Sequence, residues 1–109
     1  SGYPEGTFLP EQSIPRVQVL VALTSGLELN AQNPNILSKF QDASEIPTYA
    51  TNSVAAATER SIVVNYPTVA QLNPNRNASR AEVAAFVYQA LVSAGKAQAI
   101  SSPYIVSNP

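Results

Sequence analysis

One pattern occurs twice in this chain. Tyr3-Pro4 returns as Tyr66-Pro67, 63 residues later, and Pro10 and Arg16 return as Pro74 and Arg80, each 64 residues later. A single inserted residue between Pro67 and Pro74 accounts for the difference. In both copies the order is Tyr-Pro, a short turn, Pro, a five-residue gap, Arg, and then an apolar stretch with helical spacing. Self-similarity at a fixed period marks an architecture assembled from copies of one unit that bury their apolar faces against each other. The repeat therefore predicts two equivalent helices, one opened by Arg16 and one by Arg80.

The second copy carries the stronger local signals. Ser79-Arg80-Ala81-Glu82 has the S-x-x-E form of a capping box, with Ser79 as N-cap and Glu82 at N3. Val83, Phe86, Val87, Ala90, Leu91 and Ala94 follow on one helical face, Gly95 suits the position after the helix end, and Lys96 suits its negative pole. These signals predict a helix over about 80–94. In the first copy the helix starts at Pro15 or Arg16, since Pro fits an opening turn, and it ends between Gly26 and Leu29. Val17, Val19, Leu20, Val21, Ala22 and Leu23 are apolar nearly all round, so this helix is expected to be the more buried of the two.

Shorter elements lie between the copies. Ile36 to Phe40 reads as one or two helical turns, and Asp42 to Pro47 as a loop in which Asp42 and Glu45 cap the helix after Pro47. Thr48 reads as the N-cap of that helix, which reaches about Arg60, with Ala55, Ala56 and Ala57 allowing close helix approach. Ile62-Val63-Val64 is short and β-branched, which favours one extended segment. The tail from Ser101 reads as extended, with Tyr104-Ile105-Val106 docking on the helices. The fold class predicted is all-α: a small domain of about four helices with short extended connections.

Composition removes several function classes. Cysteine and histidine are both absent, which excludes disulfides, thiol nucleophiles and zinc–thiolate sites, and removes the commonest general base and transition-metal ligand. No metal site and no cofactor is expected, and the chain reads as a non-enzyme. With a net charge of -1 and six scattered cations it lacks the footprint of a nucleic-acid binder. No apolar run approaches the roughly 20 residues of a membrane-spanning helix, so no direct membrane insertion is expected. Apolar residues at 45% are sufficient for a core, whereas charged residues at 12% leave the surface to be made largely of Ser, Thr, Asn and Gln. The opening Ser1-Gly2-Tyr3-Pro4, with neither an initiator Met nor a basic leader, reads as a segment of a longer protein.

Gly2-Tyr3-Pro4-Glu5-Gly6-Thr7-Phe8-Leu9-Pro10, followed by Ile14-Pro15-Arg16-Val17-Gln18, resembles the second half of an S-layer homology repeat, which reads roughly G-x-P-D-G-T-F-x-P and then [IV]-T-R-A-E at a helix start. Phe40-Gln41-Asp42-Ala43 resembles the F-x-D opening of a further repeat. Ile46-Pro47-Thr48-Tyr49-Ala50 sits where that family has an aromatic followed by Ala, and Ala78-Ser79-Arg80-Ala81-Glu82 is close to the T-R-A-E box. The wording is most similar to the cyanobacterial form. The second copy departs from the pattern in losing D-G-T-F, and the first in having Pro15-Arg16-Val17-Gln18 for T-R-A-E. On this resemblance the chain is one domain over 1–109: the second half of one repeat at 1–30, a complete repeat at 36–96 and a tail at 97–109. The resemblance implies a helical anchoring module of a larger envelope protein, extracytoplasmic, whose partner is a cell-wall glycan, either peptidoglycan or a secondary wall polymer, with neighbouring repeats as further partners.

Five residues are candidates for ligand binding: Arg16, Arg80, Glu5, Tyr49 and Tyr66. A cation in the first turn of a helix faces the positive end of the macrodipole, at a cost of roughly 0.3–1 kcal/mol. Two arginines so placed need an anionic partner. That partner is either an acidic group on the glycan, received by the guanidinium fork and the free N–H groups of the helix end, or an internal carboxylate such as Glu5, Asp42 or Glu45. Tyr49 and Tyr66 offer ring faces to a pyranose, with half-buried packing as the competing role. Glu5 can hold a sugar hydroxyl or stabilise the turn at Gly6. The rival to a glycan-binding module is a structural spacer or protein–protein module that has lost its glycan site.

Overall fold

The computed structural model describes residues 14–95 and 102–106. Three α-helices run through them: α1 (Arg16–Gly26), α2 (Thr51–Glu59) and α3 (Arg80–Ser93). Three 3₁₀ segments, Pro34–Lys39, Ala43–Glu45 and Thr48–Ala50, lie between α1 and α2. The helical class read from the sequence is the class observed. Arg16 and Arg80 are each the first residue of their helix, as the repeat requires.

Local chemistry starts α3. The Ser79 hydroxyl accepts the N–H of Glu82 at 3.0 Å, and the Glu82 carboxylate accepts the N–H of Ser79 at 2.8 Å, so two of the unpartnered donors of a helix start are satisfied. At its other end Gly95 takes the left-handed conformation, φ 77°, that terminates helices and that side chains disfavour. α1 is started differently. Pro15 has no side-chain cap to offer. Instead the N–H groups of Arg16 and Val17 donate to the carbonyls of Arg76 and Pro74, at 2.8 and 2.9 Å, and the N–H of Ala78 donates to Ile14 at 2.8 Å. The turn that leads into α3 thus caps α1, and the two copies interlock.

α1 and α2 both end in Schellman motifs whose left-handed residue is not glycine. Glu28 (φ 57°) and Ser61 (φ 59°) occupy that position, followed by Leu29 N–H to Thr24 O and Ile62 N–H to Ala57 O, both 2.9 Å.

The core is assembled from Val17 and Leu20 of α1, Val54 and Ala57 of α2, Phe86 of α3, and Ile62 and Leu72 from the connections, all essentially without solvent exposure. α1 packs on both α2 and α3. The prediction that α1 is the more buried of the two Arg-led helices holds, since it buries Arg16, Val17, Val19, Leu20 and Thr24 against Phe86, Gln89 and Ala90 of α3. The apolar stripe assigned to α3 is rotated. Phe86 and Ala90 face inward, but Val87 and Leu91 are 38% and 43% exposed. Two polar contacts set the rotation: Glu82 turns toward Arg16, and the Gln89 amide donates to Ser61 O at 2.8 Å.

Three other expectations are corrected. Thr48 is not the N-cap of α2; a 3₁₀ turn closed by Ala50 N–H to Pro47 O precedes the helix, whose N-cap is Ala50. Asp42 caps no helix; its carboxylate reaches across to the N–H groups of Leu72 and Asn73, at 2.9 and 2.8 Å. The β-branched 62–64 segment forms no strand of its own among the described residues. It makes one isolated bridge, Val64 to Ile105, flanked by Asn65 N–H to Tyr104 O and Val106 N–H to Val63 O, both 2.9 Å. The tail therefore docks on this segment, with Val106 inserted into the core.

Candidate functional site

The two arginines of the repeat occupy equivalent helix positions and opposite environments. Arg16 is 1% exposed, and its guanidinium is enclosed by groups from the second copy. Nε donates to Leu72 O at 2.8 Å, and Nη2 donates to Val64 O at 3.2 Å and to the Asn65 side-chain oxygen. Nη1 lies 3.1 Å from Glu82 Oε2, close enough for an ion pair but not aligned for a hydrogen bond. The guanidinium carbon sits 4.9 Å from the centre of the Phe86 ring, in cation–π range. Burial pulls the Arg16 pKa below its ordinary value, and Glu82 opposes that pull.

These contacts correct the reading of Arg16 as a glycan contact. A guanidinium with no solvent-facing donor cannot reach a polymer. Its N-terminal backbone donors are equally unavailable, because the 74–76 carbonyls hold them. Among the described residues the carboxylate that forms an ion pair with Arg16 is Glu82. Glu82 is the acidic residue of the other copy's box, and it serves two ends at once: Oε1 closes the capping box, while Oε2 pairs with Arg16 and with the half-exposed Arg76. Partial burial pushes the Glu82 carboxyl up, but the Ser79 N–H and the two guanidiniums outweigh it and hold the pKa below the usual carboxylate value.

Arg80 stands exposed at the start of α3. Among the described residues its guanidinium makes no ion pair, and the N–H groups of Arg80 and Ala81 make no hydrogen bond. Glu82 offers its carboxylate to this helix end, but Arg80 itself has no anionic partner among the described residues. Tyr49 and Tyr66 are each 65% exposed. The Tyr49 hydroxyl accepts from the Gln18 side chain, so the residue at the Glu82-equivalent position of the first copy reaches for Tyr49 rather than closing a box. Tyr66 meets the Tyr104 ring edge-on, centroids 4.7 Å apart, with much of its surface left to solvent. Glu5 lies outside the described residues.

Two buried polar residues are central to this arrangement. Asn65, 1% exposed, accepts from Arg16 and donates to Val69 O at 2.8 Å. Asp42 fastens the 72–73 turn that supplies an acceptor to Arg16. Asp42 had a signal in the F-x-D resemblance; Asn65 had none beyond its place before Tyr66-Pro67.

Residues 39–84 match the family model of the S-layer homology domain. The match opens at Lys39, next to the F-x-D sequence, and closes just beyond Arg80-Ala81-Glu82, so it holds both Asp42 and Glu82. Domains of this family are cell-wall anchoring modules of cell-surface or envelope proteins, not catalysts. No curated protein and no solved structure matches the chain. Among the described residues no helix is long and apolar enough to cross a membrane.

Proposed function

We propose that this chain anchors its parent protein to the cell wall by binding an acidic wall glycan, peptidoglycan or a secondary polymer linked to it, at the start of α3. The observation that carries the reading is the exposed Arg80, a cation with no ion-pair partner among the described residues at the positive end of α3, inside the matched segment. An anionic group seated there gains a charge-assisted bond from the guanidinium and donors from the helix end. Tyr66 and Tyr49 offer ring surface for sugar faces, and Glu5 a carboxylate for a hydroxyl. In this reading 1–109 acts as one module, with 1–30 and 36–96 as its half and whole repeats. A second reading, a spacer without glycan binding, draws on Arg16, whose donors are spent inside the protein.

Cosedimentation with purified wall sacculi separates the two. Binding to untreated sacculi that falls when the acid-extractable polymers are stripped identifies a secondary polymer as the partner. Binding that survives stripping identifies peptidoglycan. Absence of the protein from every wall pellet would contradict glycan binding by this chain.

A further inference from the structure

A second polar hollow lies between the segment after α1 and the C-terminal end of α2. Side chains of α2 build one wall by holding this segment in place. The Asn52 side-chain oxygen accepts the N–H of Ala31 at 3.0 Å, and its amide donates to the Asn30 side chain at 3.2 Å. At the far end of α2, the Glu59 carboxylate accepts the N–H of Gln32 at 3.0 Å and that of Asn33 at 2.6 Å. The Asn33 side chain then accepts the N–H of Asn35, which starts the 34–39 turn, and Ile36 anchors that turn in the protein. Side-chain bonds to α2 and within the loop therefore preorganise it, a condition that lowers the cost of binding.

The hollow these elements enclose is about 550 Å³, within the size range of small-molecule sites. Gln32, Asn33, Asn35, Ser38, Lys39, Glu59 and Arg60 are among the residues that line it. Amides and a hydroxyl supply both donors and acceptors, the complement of a polyol. Lys39 and Arg60 make no ion pair among the described residues. The Glu59 carboxylate, turned to the loop N–H groups, offsets one of these two cations, so the lining keeps one net positive charge. Among the described residues no aromatic ring lines the hollow, so they offer a neutral sugar no platform to stack on and charge becomes the handle.

We propose that this hollow is a second ligand site, for a sugar residue bearing a carboxylate or phosphate. Lys39 and Arg60 hold the acid, while the amides of Gln32, Asn33 and Asn35 with the Ser38 hydroxyl read the ring hydroxyls. It uses none of Arg80, Tyr49, Tyr66 or Glu5, so it stands or falls apart from the α3 site. Two-dimensional amide NMR of the ¹⁵N-labelled chain tests it, with glucuronic acid, glucose 6-phosphate, glucose and inorganic phosphate titrated at constant ionic strength. The expected result is saturable shifts of the amides of 31–39 and 59–60, fitted separately from any at the start of α3. Of the two anionic sugars, the tighter binder identifies the acid group; it binds several-fold more tightly than glucose or phosphate ion. Lys39→Gln and Arg60→Gln each weaken that binding, read at the 31–39 and 59–60 amides, by about tenfold. The site is refuted if inorganic phosphate binds as tightly as the anionic sugars, if the amides of 31–39 and 59–60 do not shift, or if both Gln variants bind like the wild type.

Discussion

α1 and α3 begin with the same residue in the same register, and the structure uses it in opposite ways. At α1 the guanidinium is internal, bonded to Leu72, Val64 and Asn65 and paired with Glu82. At α3 it is exposed and unpaired among the described residues. The same asymmetry runs through the caps. α3 is bounded by its own Ser79, Glu82 and Gly95, whereas α1 has no side-chain cap and borrows its acceptors from the turn before α3. A repeated motif thus fixes where a residue sits on its helix but not what it contacts. The first copy's arginine is the fastener that holds the copies together. Among the described residues, no counterpart of Asn65 and Leu72 receives the second copy's arginine.

Removing each arginine in turn probes this difference at its largest. Arg16→Ala strands Glu82, Asn65 and two carbonyls in or near the core, and is expected to cost about 3–5 kcal/mol. Arg80→Ala is expected to change stability by no more than about 0.5 kcal/mol, and relief of the dipole makes even a small gain reasonable. Urea unfolding midpoints of both variants give the answer. Similar losses at the two sites would erase the distinction.

The rotation of α3 is tested in the same way. Phe86→Ala should cost about 3–5 kcal/mol, as for other fully buried aromatics. Leu91→Ala, on the exposed side of the same helix, should cost under about 1 kcal/mol. A reversed order in thermal or urea unfolding would restore the stripe read from the sequence.

Acid should loosen the fastener. Because folding lowers the Glu82 pKa, its contribution is fully present above the unfolded value, about 4.3, and is lost as pH falls through that value toward the lower folded one. The wild type should therefore lose more stability between neutral pH and pH ~3 than Glu82→Gln, which begins less stable. Parallel pH profiles for the two proteins would show that the pair with Arg16 carries no linkage. Smaller still is the cap: Ser79→Ala should cost about 1 kcal/mol, measurable as a lower unfolding midpoint, with the binding surface otherwise intact.

Legibility from sequence tracked the range of the interactions. The bounds of α3, its capping box and the left-handed Gly95 depend on neighbours within a turn, and all were readable. The start of α1 was readable from Pro15-Arg16, but the fate of Arg16 was not, because its hydrogen-bond partners lie 48 to 56 residues away. Asp42 was misassigned for the same reason: the nearest helix seemed to need a cap, while its true partners, Leu72 and Asn73, lie about thirty residues on. The ends of α1 near Gly26 and of α2 near Arg60 were readable, but not that the left-handed residues closing them would be Glu28 and Ser61 rather than glycine. The orientation of α3 escaped because its apolar and alanine residues wrap most of the helix, leaving the Glu82 and Gln89 contacts to choose the inward face.

Whether Arg80 is kept free for an acidic wall glycan is read from the bound fraction of Arg80→Ala and Arg80→Lys on untreated wall sacculi, with circular dichroism confirming the fold. Strong loss is expected for Ala, and a smaller, measurable loss for Lys, which keeps the charge but not the planar fork. Folded Arg80→Ala that sediments with the wall as well as the wild type would contradict the assignment.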